Sequence, residues 1–398
     1  MKHFLLLGSQ PRLSLAEAHA VIDGPSPMRY DALAVFSSGF WDDVFFQNRL
    51  AGTVKLGDIE TEVPIGELTP ALLADIIEAH PRADRILFGL SIYGAKKKEA
   101  QTLKNLPIQL KRELKTRGKS VRWVTGDEGK ISPAAVAKLH LTTEGYDFMI
   151  GIADGKALIG LTTQVQDADA WSKRDFGRPF RDAKTGMLPP KLARMMVNLA
   201  VGLEPIEDAT LLDPFCGSGT VIMEAALLFP SLKLVGADID TKQIAGSQEN
   251  FKWLVQQNLL PEESLQRITW RVHPAKDLAA HMEGGPIRYI VTEGFLGRPL
   301  QGNESIKELE SRMQEVKNIW EASLPALAAL QPQGGRLVCT WPTYKLSEGL
   351  INLEMDDIED LGYRILDPLI DWSANQEPIL YTRPDQHLAR RIVVLERI

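Results

Sequence analysis

The sequence predicts two regions of different fold, an α+β front half and a doubly wound α/β back half. Up to about residue 165, short helix and strand patterns follow one another irregularly, which is typical of small α+β units. From residue 187 onward, apolar strands and amphipathic helices alternate regularly, which indicates βαβ units on a parallel sheet. The polar stretch over 163–186 interrupts this periodicity and has the length and composition of a linker.

Local signals place helices and a hairpin in the front half. Ser14 and Glu17 form an S-x-x-E capping box, so we expect a helix to begin at Ser14. Thr69 and Ser132 each precede a proline, as an N-cap residue precedes a proline in the first helical turn. The pair Asp154-Gly155 between two apolar runs predicts a β-hairpin.

The back half contains a regular series of elements. A helix over "MLPPKLARMMVNLAVGL" comes first, followed by the strand "TLLDPF" and the helix "TVIMEAALL". The strand "KLVGADI" and the helix "KQIAGSQENFKWLVQQN" come next. Strand and helix patterns in this order predict neighbouring parallel strands joined by helical crossovers.

Charge and composition restrict the class of protein. The net charge is −7, yet residues 96–138 contain twelve basic and four acidic side chains. Such a local basic field favours contacts with phosphates, although a solvated lysine-rich helix face is an equally good interpretation. Two cysteines and seven scattered histidines form neither a disulfide framework nor a metal-ligand pattern. Without a signal-peptide core or a long apolar run, we expect a cytoplasmic, reduced protein with no metal.

The glycine-rich stretch "LLDPFCGSGTVIMEA" ends a predicted strand and begins a predicted helix. Gly217 and Gly219 lack side chains, so a ligand can approach the main chain closely. The helix start offers free amides to an anionic group. A dinucleotide site requires a third glycine where Ile222 stands, and a phosphate-binding loop requires lysine where Thr220 stands. Both phosphate interpretations are therefore weak.

An acid four residues before the first glycine fits S-adenosylmethionine, which carries an ammonium and a carboxylate but no phosphate. Asp213 would meet the ammonium, while the amides of the turn would face the carboxylate. Asp238, at the end of the next strand, would bind the ribose hydroxyls. Asp277 is the candidate for the adenine amino group, with simple helix capping as the alternative. The remaining predicted cofactor contacts are Pro214, Phe215, Cys216, Ser218 and Ile239.

Several segments resemble the THUMP-domain RNA methyltransferases, closest to the tRNA guanosine-N2 methyltransferases that modify nucleoside ten. These segments are "RPFRDAKTGMLPPKLARMMVNLA", "LLDPFCGSGTVIMEA", "LYTRPDQHLARRIVVLE", "FLLLGSQPRLSLAEAHAVI" and "FGLSIYG", so the resemblance covers nearly the whole chain. It implies a ferredoxin-like α+β domain over 1–64, a THUMP domain over 65–165 and a linker over 166–186. It also implies a Rossmann-like α/β methyltransferase domain over 187–398, with a seven-stranded, mostly parallel sheet.

The resemblance further implies S-adenosylmethionine as cofactor, tRNA or another structured RNA as partner, and a monomer or homodimer. THUMP roles do not transfer residue by residue, because the basic positions form no fixed motif. The expected RNA contacts are therefore regional, with plain solvation as the alternative. They are Lys96, Lys97, Lys98, Lys111, Arg112, Lys115 and Arg117, and in the linker Lys173, Arg174, Arg178 and Arg181.

The catalytic motif departs from the family pattern. Where the family has D-P-P-Y, this chain has Glu293, Gly294, Phe295 and Leu296. An exocyclic base amine is a poor nucleophile, and a carboxylate and a main-chain carbonyl orient its lone pair while an aromatic ring stacks on the flipped base. Glu293 keeps the carboxylate on a longer side chain, Gly294 would loosen the turn, and Phe295 keeps a ring one position early.

Three interpretations of this motif remain open. The site is a working variant that methylates guanosine N2 in tRNA, or it accepts another base or position, or it has lost catalysis and binds RNA only. A DNA amine methyltransferase has a similar motif, but the THUMP-like front half favours RNA.

Overall fold

The computed structural model describes residues 1–24, 27–181, 187–282, 287–298, 300, 302, 304–346, 349–369, 378–383 and 386–398. The chain divides into two compact units, one formed by residues 1–15 and 22–168 and the other by 16–21 and 169–398. Across these described ranges, no helix is long and apolar enough to cross a membrane.

The first unit contains one eight-stranded mixed sheet in the order β2-β3-β1-β4-β8-β7-β5-β6. Strand β5 pairs in parallel with both β6 and β7, and the other pairings are antiparallel. The strands are β1 Lys2–Leu7, β2 Met28–Tyr30, β3 Leu33–Ser37, β4 Thr53–Pro64, β5 Arg85–Tyr93, β6 Ser120–Trp123, β7 Tyr146–Ala153 and β8 Lys156–Val165.

The helix starts of the first unit were predicted correctly in two cases and wrongly in one. Thr69 and Ser132 each cap a helix through a side-chain oxygen that accepts a main-chain N–H. The first helix begins at Pro11 rather than at Ser14, whose hydroxyl donates to the Gln10 carbonyl at 2.9 Å. The helices of this part are α1 Pro11–Val21, α2 Asp43–Arg49, α3 Pro70–Ala79, α4 Lys97–Leu103, α5 Leu106–Thr116 and α6 Pro133–Lys138.

The predicted hairpin is confirmed and lies at the centre of this sheet. Asp154 and Gly155 have φ values of 49° and 73° and connect β7 to β8, with Ala153 opposite Lys156. β8 then pairs along nearly its whole length with β4. Because β4 and β8 come from the two predicted front domains, their pairing joins residues 1–64 and 65–165 in one sheet. The ferredoxin-like and THUMP assignments remain predictions.

The second unit is built on a sheet with the strand order β11-β10-β9-β12-β13-β17-β15, to which β14 and β16 add at β13 and β17. Five neighbouring strands, β11 to β13 in this order, are parallel, and β17 is antiparallel to both of its neighbours. The seven strands of the main path agree with the predicted mostly parallel sheet. The strands are β9 Thr210–Asp213, β10 Lys233–Asp238, β11 Ile268–Val272, β12 Ile287–Thr292, β13 Arg336–Leu346, β14 Gly349–Asn352, β15 Tyr363–Leu366, β16 Ile379–Tyr381 and β17 Leu388–Arg397.

The helices of the second unit cover this sheet and bury its apolar side chains. Trp320 of the long last helix and Trp341 of β13 are fully buried in one cluster with strand residues such as Leu337. Trp320 of this cluster packs against Gly294 of the predicted catalytic motif. The helices are α7 Ala168–Phe176, α8 Pro190–Val201, α9 Thr220–Leu228, α10 Thr241–Gln256, α11 Leu278–His281 and α12 Ile306–Leu330.

The described part of the predicted linker is folded into the second unit. Residues 168–176 form α7, and Trp171 of this helix is buried. Farther on, the Phe180 ring packs so closely on Gly246 of α10 that a Cβ at Gly246 would overlap it. Trp171, Arg174 and Arg178 are thus buried, while most other polar side chains of the stretch up to residue 181 are exposed; residues 182–186 lie outside the described ranges.

Candidate active site

A cavity of about 1080 Å³ lies at the carboxyl ends of β9, β10 and β12. This edge of a parallel α/β sheet is where such folds bind their ligands. The cavity is lined by the glycine-rich turn after β9, by the chain after β10 and by the residues after β12. The predicted cofactor turn and the predicted catalytic motif therefore face one space.

The glycine-rich turn has the left-handed backbone that its glycines allow. Gly217 and Gly219 have φ values of 48° and 80°, and the Gly219 amide donates to the Cys216 carbonyl at 2.7 Å. A Cβ added at Gly217 would have no heavy atom within 4 Å, so the main chain here faces open space. Cys216 is buried, and its amide donates to the Ala237 carbonyl of β10 at 2.8 Å. This cysteine has a packing role within the turn.

Helix α10 holds the turn from behind. The Ser247 hydroxyl donates to the Gly217 carbonyl at 2.6 Å, and the Asn250 side-chain amide donates to the Ser218 carbonyl at 2.9 Å. Asn250 also exchanges two hydrogen bonds with the main chain of Phe180, at 2.9 and 3.0 Å. The amides of Cys216, Gly217 and Gly219 donate to Ala237, Asp238 and Cys216, so both kinds of main-chain group hold the turn in place.

Two acidic side chains at strand ends line the cavity. Asp213 is buried, and loss of solvation raises its pKa to about 7, with smaller contributions from the charges of Asp238 and Glu293. A hydrogen bond from Thr292 opposes this rise. Burial also raises the pKa of Asp238, whose two oxygens accept the amides of Gly217 and Asp240 at 2.9 Å each. A cationic ligand group would compensate the buried negative charge.

These features fit S-adenosylmethionine. The cavity offers a buried acid for an ammonium, an exposed main-chain turn for a carboxylate, and the partly bound Asp238 for hydroxyl groups. Ile239, 71% exposed at the edge of the cavity, offers an apolar contact for a ring. Pro214, Phe215, Cys216 and Ser218, the other predicted cofactor contacts of the turn, also line the cavity.

Asp277 is not among the residues that line the cavity, and its assignment to the adenine amino group stays a prediction. The short helical turn Ala275–Asp277 buries Ala275 and leaves the Asp277 side chain exposed, and the cavity is lined by Pro274, Ala275 and Lys276 instead. The alternative that Asp277 caps α11 by a side-chain hydrogen bond is not seen either.

The catalytic motif is held at both ends of Glu293. The Arg390 Nε donates to Glu293 Oε1 at 2.5 Å, and the Thr340 hydroxyl donates to the Glu293 carbonyl at 2.7 Å. Glu293 and Arg390 both line the cavity, as does the partly exposed ring of Phe295. Arg390 is on β17 and Thr340 is on β13, so two neighbouring strands hold the residue that follows β12.

The expectation that Gly294 loosens the motif is wrong. Gly294 has a φ of 67°, and a Cβ at this position would overlap Cζ2 of the buried Trp320. The Trp320 ring thus occupies the place where another residue's side chain would stand, and it also packs against Phe215 with ring centroids 5.7 Å apart. The glycine permits close packing rather than flexibility.

Four residues that contact the predicted site were not predicted from the sequence: Arg390, Thr340, Ser247 and Asn250. Arg390 lies in the segment "LYTRPDQHLARRIVVLE", which carried the resemblance but suggested no role for it. The other three have ordinary polar side chains within regular strand or helix patterns. Since Thr340 and Arg390 are 47 and 97 residues from Glu293, no local pattern could reveal either contact.

Most of the predicted RNA-contacting side chains in the first unit are accessible. Lys96, Lys97 and Lys98 are exposed at the start of α4, and Arg112 and Lys115 are exposed on α5, where Lys111 is half-buried. Arg117 is engaged by three carboxylates, those of Asp75, Glu78 and Glu113, at 2.6 to 2.9 Å. The exposed lysines are therefore better placed for phosphates than Arg117.

Two of the linker arginines have structural contacts, so their assignment to phosphate binding is corrected. Arg174 is buried and binds Glu224 Oε1 at 2.8 Å, while Arg194 binds the other oxygen of the same carboxylate. Arg178 is also buried and donates to the Thr220 hydroxyl at 2.5 Å. Both pairs join the residues before α8 to α9. Lys173 and Arg181 are exposed and remain available to an RNA.

The match to a known family agrees with this site. Residues 178–331 match the UPF0020 family, described as RMKL-like, methyltransferase domain. The matched residues lie within the second unit. The whole chain also superimposes on the structure of TrmN from Thermus thermophilus with a TM-score of 0.52, covering 100% of both chains at 16% identity. At that identity the likeness concerns the fold alone.

Curated relatives give a narrower placement. The chain is 43% identical over 79 residues to a tRNA (guanine(10)-N2)-dimethyltransferase of Methanothermobacter thermautotrophicus, covering 20% of this chain and 21% of that protein. It is 35% identical over 118 residues to the protein of the same name from Methanocaldococcus jannaschii, covering 29% and 31%. A third match, at 39% over 69 residues, is the human U6 snRNA (guanine-N(2))-methyltransferase THUMPD2, covering 17% and 13%. The resemblance to THUMP-type RNA methyltransferases is thereby confirmed, although the matches span less than a third of these three relatives.

Proposed function

We propose that the protein methylates an exocyclic base amine in tRNA, at guanosine N2, with S-adenosylmethionine as the methyl donor. The observation that carries this proposal is the single cavity shared by the glycine-rich turn, Asp213, Asp238 and the Glu293 carboxylate. The names of the curated relatives support guanine N2 as the methylated atom.

The cofactor would be held by the residues at the ends of β9 and β10. Asp213 would pair with its ammonium, the exposed main chain of the glycine turn would lie against its carboxylate, and Asp238 would bind its ribose hydroxyls. When bound, the cofactor supplies an electrophilic methyl group on a sulfonium centre. The chain itself therefore needs to orient the acceptor nitrogen and exclude water, and it supplies no covalent nucleophile.

The residues after β12 would prepare the acceptor. The Glu293 carboxylate would accept a hydrogen of the base amine and so turn the nitrogen lone pair away from ring delocalisation. Phe295, whose ring lines the cavity, would stack on the extruded base. Placing the two reacting atoms within one cavity lowers the entropy cost of the transfer.

The first unit would hold the RNA mainly through phosphate contacts. A-form helices are difficult to read by base edges, so shape and charge recognition is the expected mode. The exposed lysines at 96–98 and the basic side chains of α5 supply the positive charge. The linker residues Lys173 and Arg181 would add contacts on the second unit.

Mass spectrometry of nucleosides tests this proposal directly. Bulk tRNA is incubated with the protein and methyl-labelled S-adenosylmethionine, then digested, and we expect label in N2-methylguanosine or its dimethyl form. Glu293→Gln should reduce incorporation by a factor of about 10²–10⁴, whereas Glu315→Gln, an exposed position on α12, should not.

Other outcomes select the alternatives. Label in a different nucleoside would indicate another base or position, and equal incorporation into duplex DNA would overturn the preference for RNA. RNA binding with neither methyl transfer nor heat of binding to S-adenosylmethionine would indicate a protein that only binds RNA.

A further inference from the structure

The ion pair between Glu293 and Arg390 is not accounted for by the cofactor site. The Arg390 side chain is 10% exposed and that of Glu293 is 20% exposed, and their 2.5 Å contact is a charge-assisted hydrogen bond within the cavity wall. Only one carboxylate oxygen, Oε1, is engaged by the Arg390 Nε. A carboxylate accepts hydrogen bonds at both oxygens, so this contact leaves Oε2 able to accept another donor.

We infer that Arg390 is the positioning residue for Glu293, and that it fixes the longer acidic side chain so that Oε2 meets the amine of the base. This inference rests on the proposed function. The family's aspartate has a shorter side chain with fewer rotatable bonds. Glutamate adds a methylene, and with it one more rotatable bond. A hydrogen bond from Arg390 to the carboxylate would restrict this bond and so fix the position of the carboxylate.

The strands around Arg390 make it a rigid anchor. Within β17, Arg390 lies opposite Pro342 of β13 on one side and opposite Tyr381 of β16 on the other. β13 also supplies Thr340, whose hydroxyl holds the Glu293 main chain at 2.7 Å. Adjacent strands thus fix the two ends of the same residue, the main chain through Thr340 and the carboxylate through Arg390.

Charge supports the same role. Asp213 is buried near Glu293, and the two negative charges repel each other. A guanidinium remains protonated under all conditions of an enzyme assay, so Arg390 supplies a constant positive charge beside this acidic pair. Without it, the Glu293 carboxylate would be free to turn away from Asp213 and from the base.

The test compares kcat and KM for tRNA methylation between Arg390→Met, Arg390→Lys and the unmodified protein. We expect Arg390→Met to lower kcat on the order of a hundredfold, because a displacement of about 1 Å at the reacting groups has that effect. KM for tRNA and the affinity for S-adenosylmethionine by calorimetry should stay nearly unchanged. Lysine keeps the positive charge but lacks the planar set of N–H donors of arginine, so kcat of Arg390→Lys should lie between those of Arg390→Met and the unmodified protein.

A double variant separates positioning from a general structural effect. If Arg390 acts through Glu293, then Glu293→Gln combined with Arg390→Met should be no slower than Glu293→Gln alone. The matched control is Arg391→Met on the same strand, whose guanidinium lies over the Trp341 ring at 5.9 Å and should leave kcat unchanged.

Each result has a defined meaning. Full activity of Arg390→Met, additive losses in the double variant, or a loss of cofactor affinity equal to the loss of kcat would each overturn the positioning role while leaving the proposed function intact. Absence of methyl transfer by the unmodified protein would overturn both. Thermal unfolding of every variant detects a loss of activity that is caused by misfolding. If Arg390→Met does not fold, kcat of Arg390→Lys is compared with that of the unmodified protein instead.

Discussion

Asp213 and Gly294 show how neighbours determine the behaviour of single residues at this site. Asp213 is an ordinary carboxylate by sequence, but burial beside two other acids raises its pKa to about 7. Gly294 reads as a flexible residue by sequence, but its contact with Trp320 makes it a tightly packed one. Both properties can be measured in the unliganded protein.

The raised pKa of Asp213 predicts how stability depends on pH. Between 3.8 and about 7 the folded protein holds a proton that the unfolded chain has released. The free energy of unfolding should therefore fall as pH rises through this window. Asp213→Asn should flatten this dependence and raise Tm at pH 8, measured by thermal unfolding from pH 5 to 8.

The control for this prediction is Asp240→Asn. Asp240 is exposed and caps α10 through a hydrogen bond to the Lys242 amide, a role that asparagine also fills. The Tm of this variant should depend on pH in the same way as the Tm of the unmodified protein. Equal slopes for Asp213→Asn and the unmodified protein would contradict the assigned pKa.

A side chain at Gly294 should be costly. Gly294→Ala combines a left-handed backbone with overlap against Trp320, so we expect a loss of about 2–5 kcal/mol in the free energy of unfolding. Gly217→Ala is the matched control because it has the backbone cost without any overlap, about 1–2 kcal/mol. Denaturant titration measures both, and similar losses would show that Trp320 packing does not restrict position 294.

At the scale of elements, α10 organises the cofactor turn from behind. Ser247 and Asn250 bind consecutive carbonyls of the turn, and Asn250 also binds the main chain of Phe180. One helix therefore fixes both the turn after β9 and the segment that precedes α8. This explains why the described part of the apparent linker behaves as part of the second unit.

Removing the Asn250 amide should disorganise the turn. Asn250→Ala leaves buried main-chain groups of Phe180 and Ser218 without their partner, a cost of about 1–3 kcal/mol for each unsatisfied group. We expect affinity for S-adenosylmethionine to fall by about tenfold or more by calorimetry. Gln248→Ala, an exposed amide on the same helix, should have no such effect, and equal losses for the two variants would refute the supporting role.

At the scale of the whole molecule, positive charge is concentrated in residues 96–138 of the first unit, even though the chain is acidic overall. The exposed lysines of α4 and α5 differ from two other surface lysines of this unit in their ion pairing. Lys2 and Lys156 both bind Glu62 at 2.9 Å, which neutralises much of their charge. We therefore expect the lysines of α4 to contribute more to RNA binding than Lys2 and Lys156.

The salt dependence of RNA binding tests this distinction. Replacing Lys97 and Lys98 with alanine should remove about two phosphate contacts. The plot of log binding constant against log salt concentration should then become less steep, by about 1.5 in the magnitude of its slope. The double variant of Lys2 and Lys156 should keep the slope of the unmodified protein. Affinities are measured by fluorescence anisotropy with labelled tRNA, and equal slopes for both pairs would exclude α4 from the RNA surface.

Predictions from the sequence succeeded where the signal is local. The hairpin at Asp154-Gly155, the caps at Thr69 and Ser132 and the glycine turn each depend on a few consecutive residues. The alternation of strands and helices predicts where the strands end, and therefore predicts that Asp213, Asp238 and Glu293 lie at one edge of a sheet. The first helix was misplaced because Pro11, rather than the apparent capping box, begins it.

The sequence by itself determined the parallel sheet, its carboxyl-edge turn and the acids that end its strands, because backbone preferences and hydrophobic periodicity act over short distances. Only the tertiary structure decided that Arg174 and Arg178 are buried against α9 and that Arg390 meets Glu293. These contacts join side chains that are 42 to 97 residues apart in the chain. Burial and charge pairing across strands fix such contacts, and no local pattern encodes them.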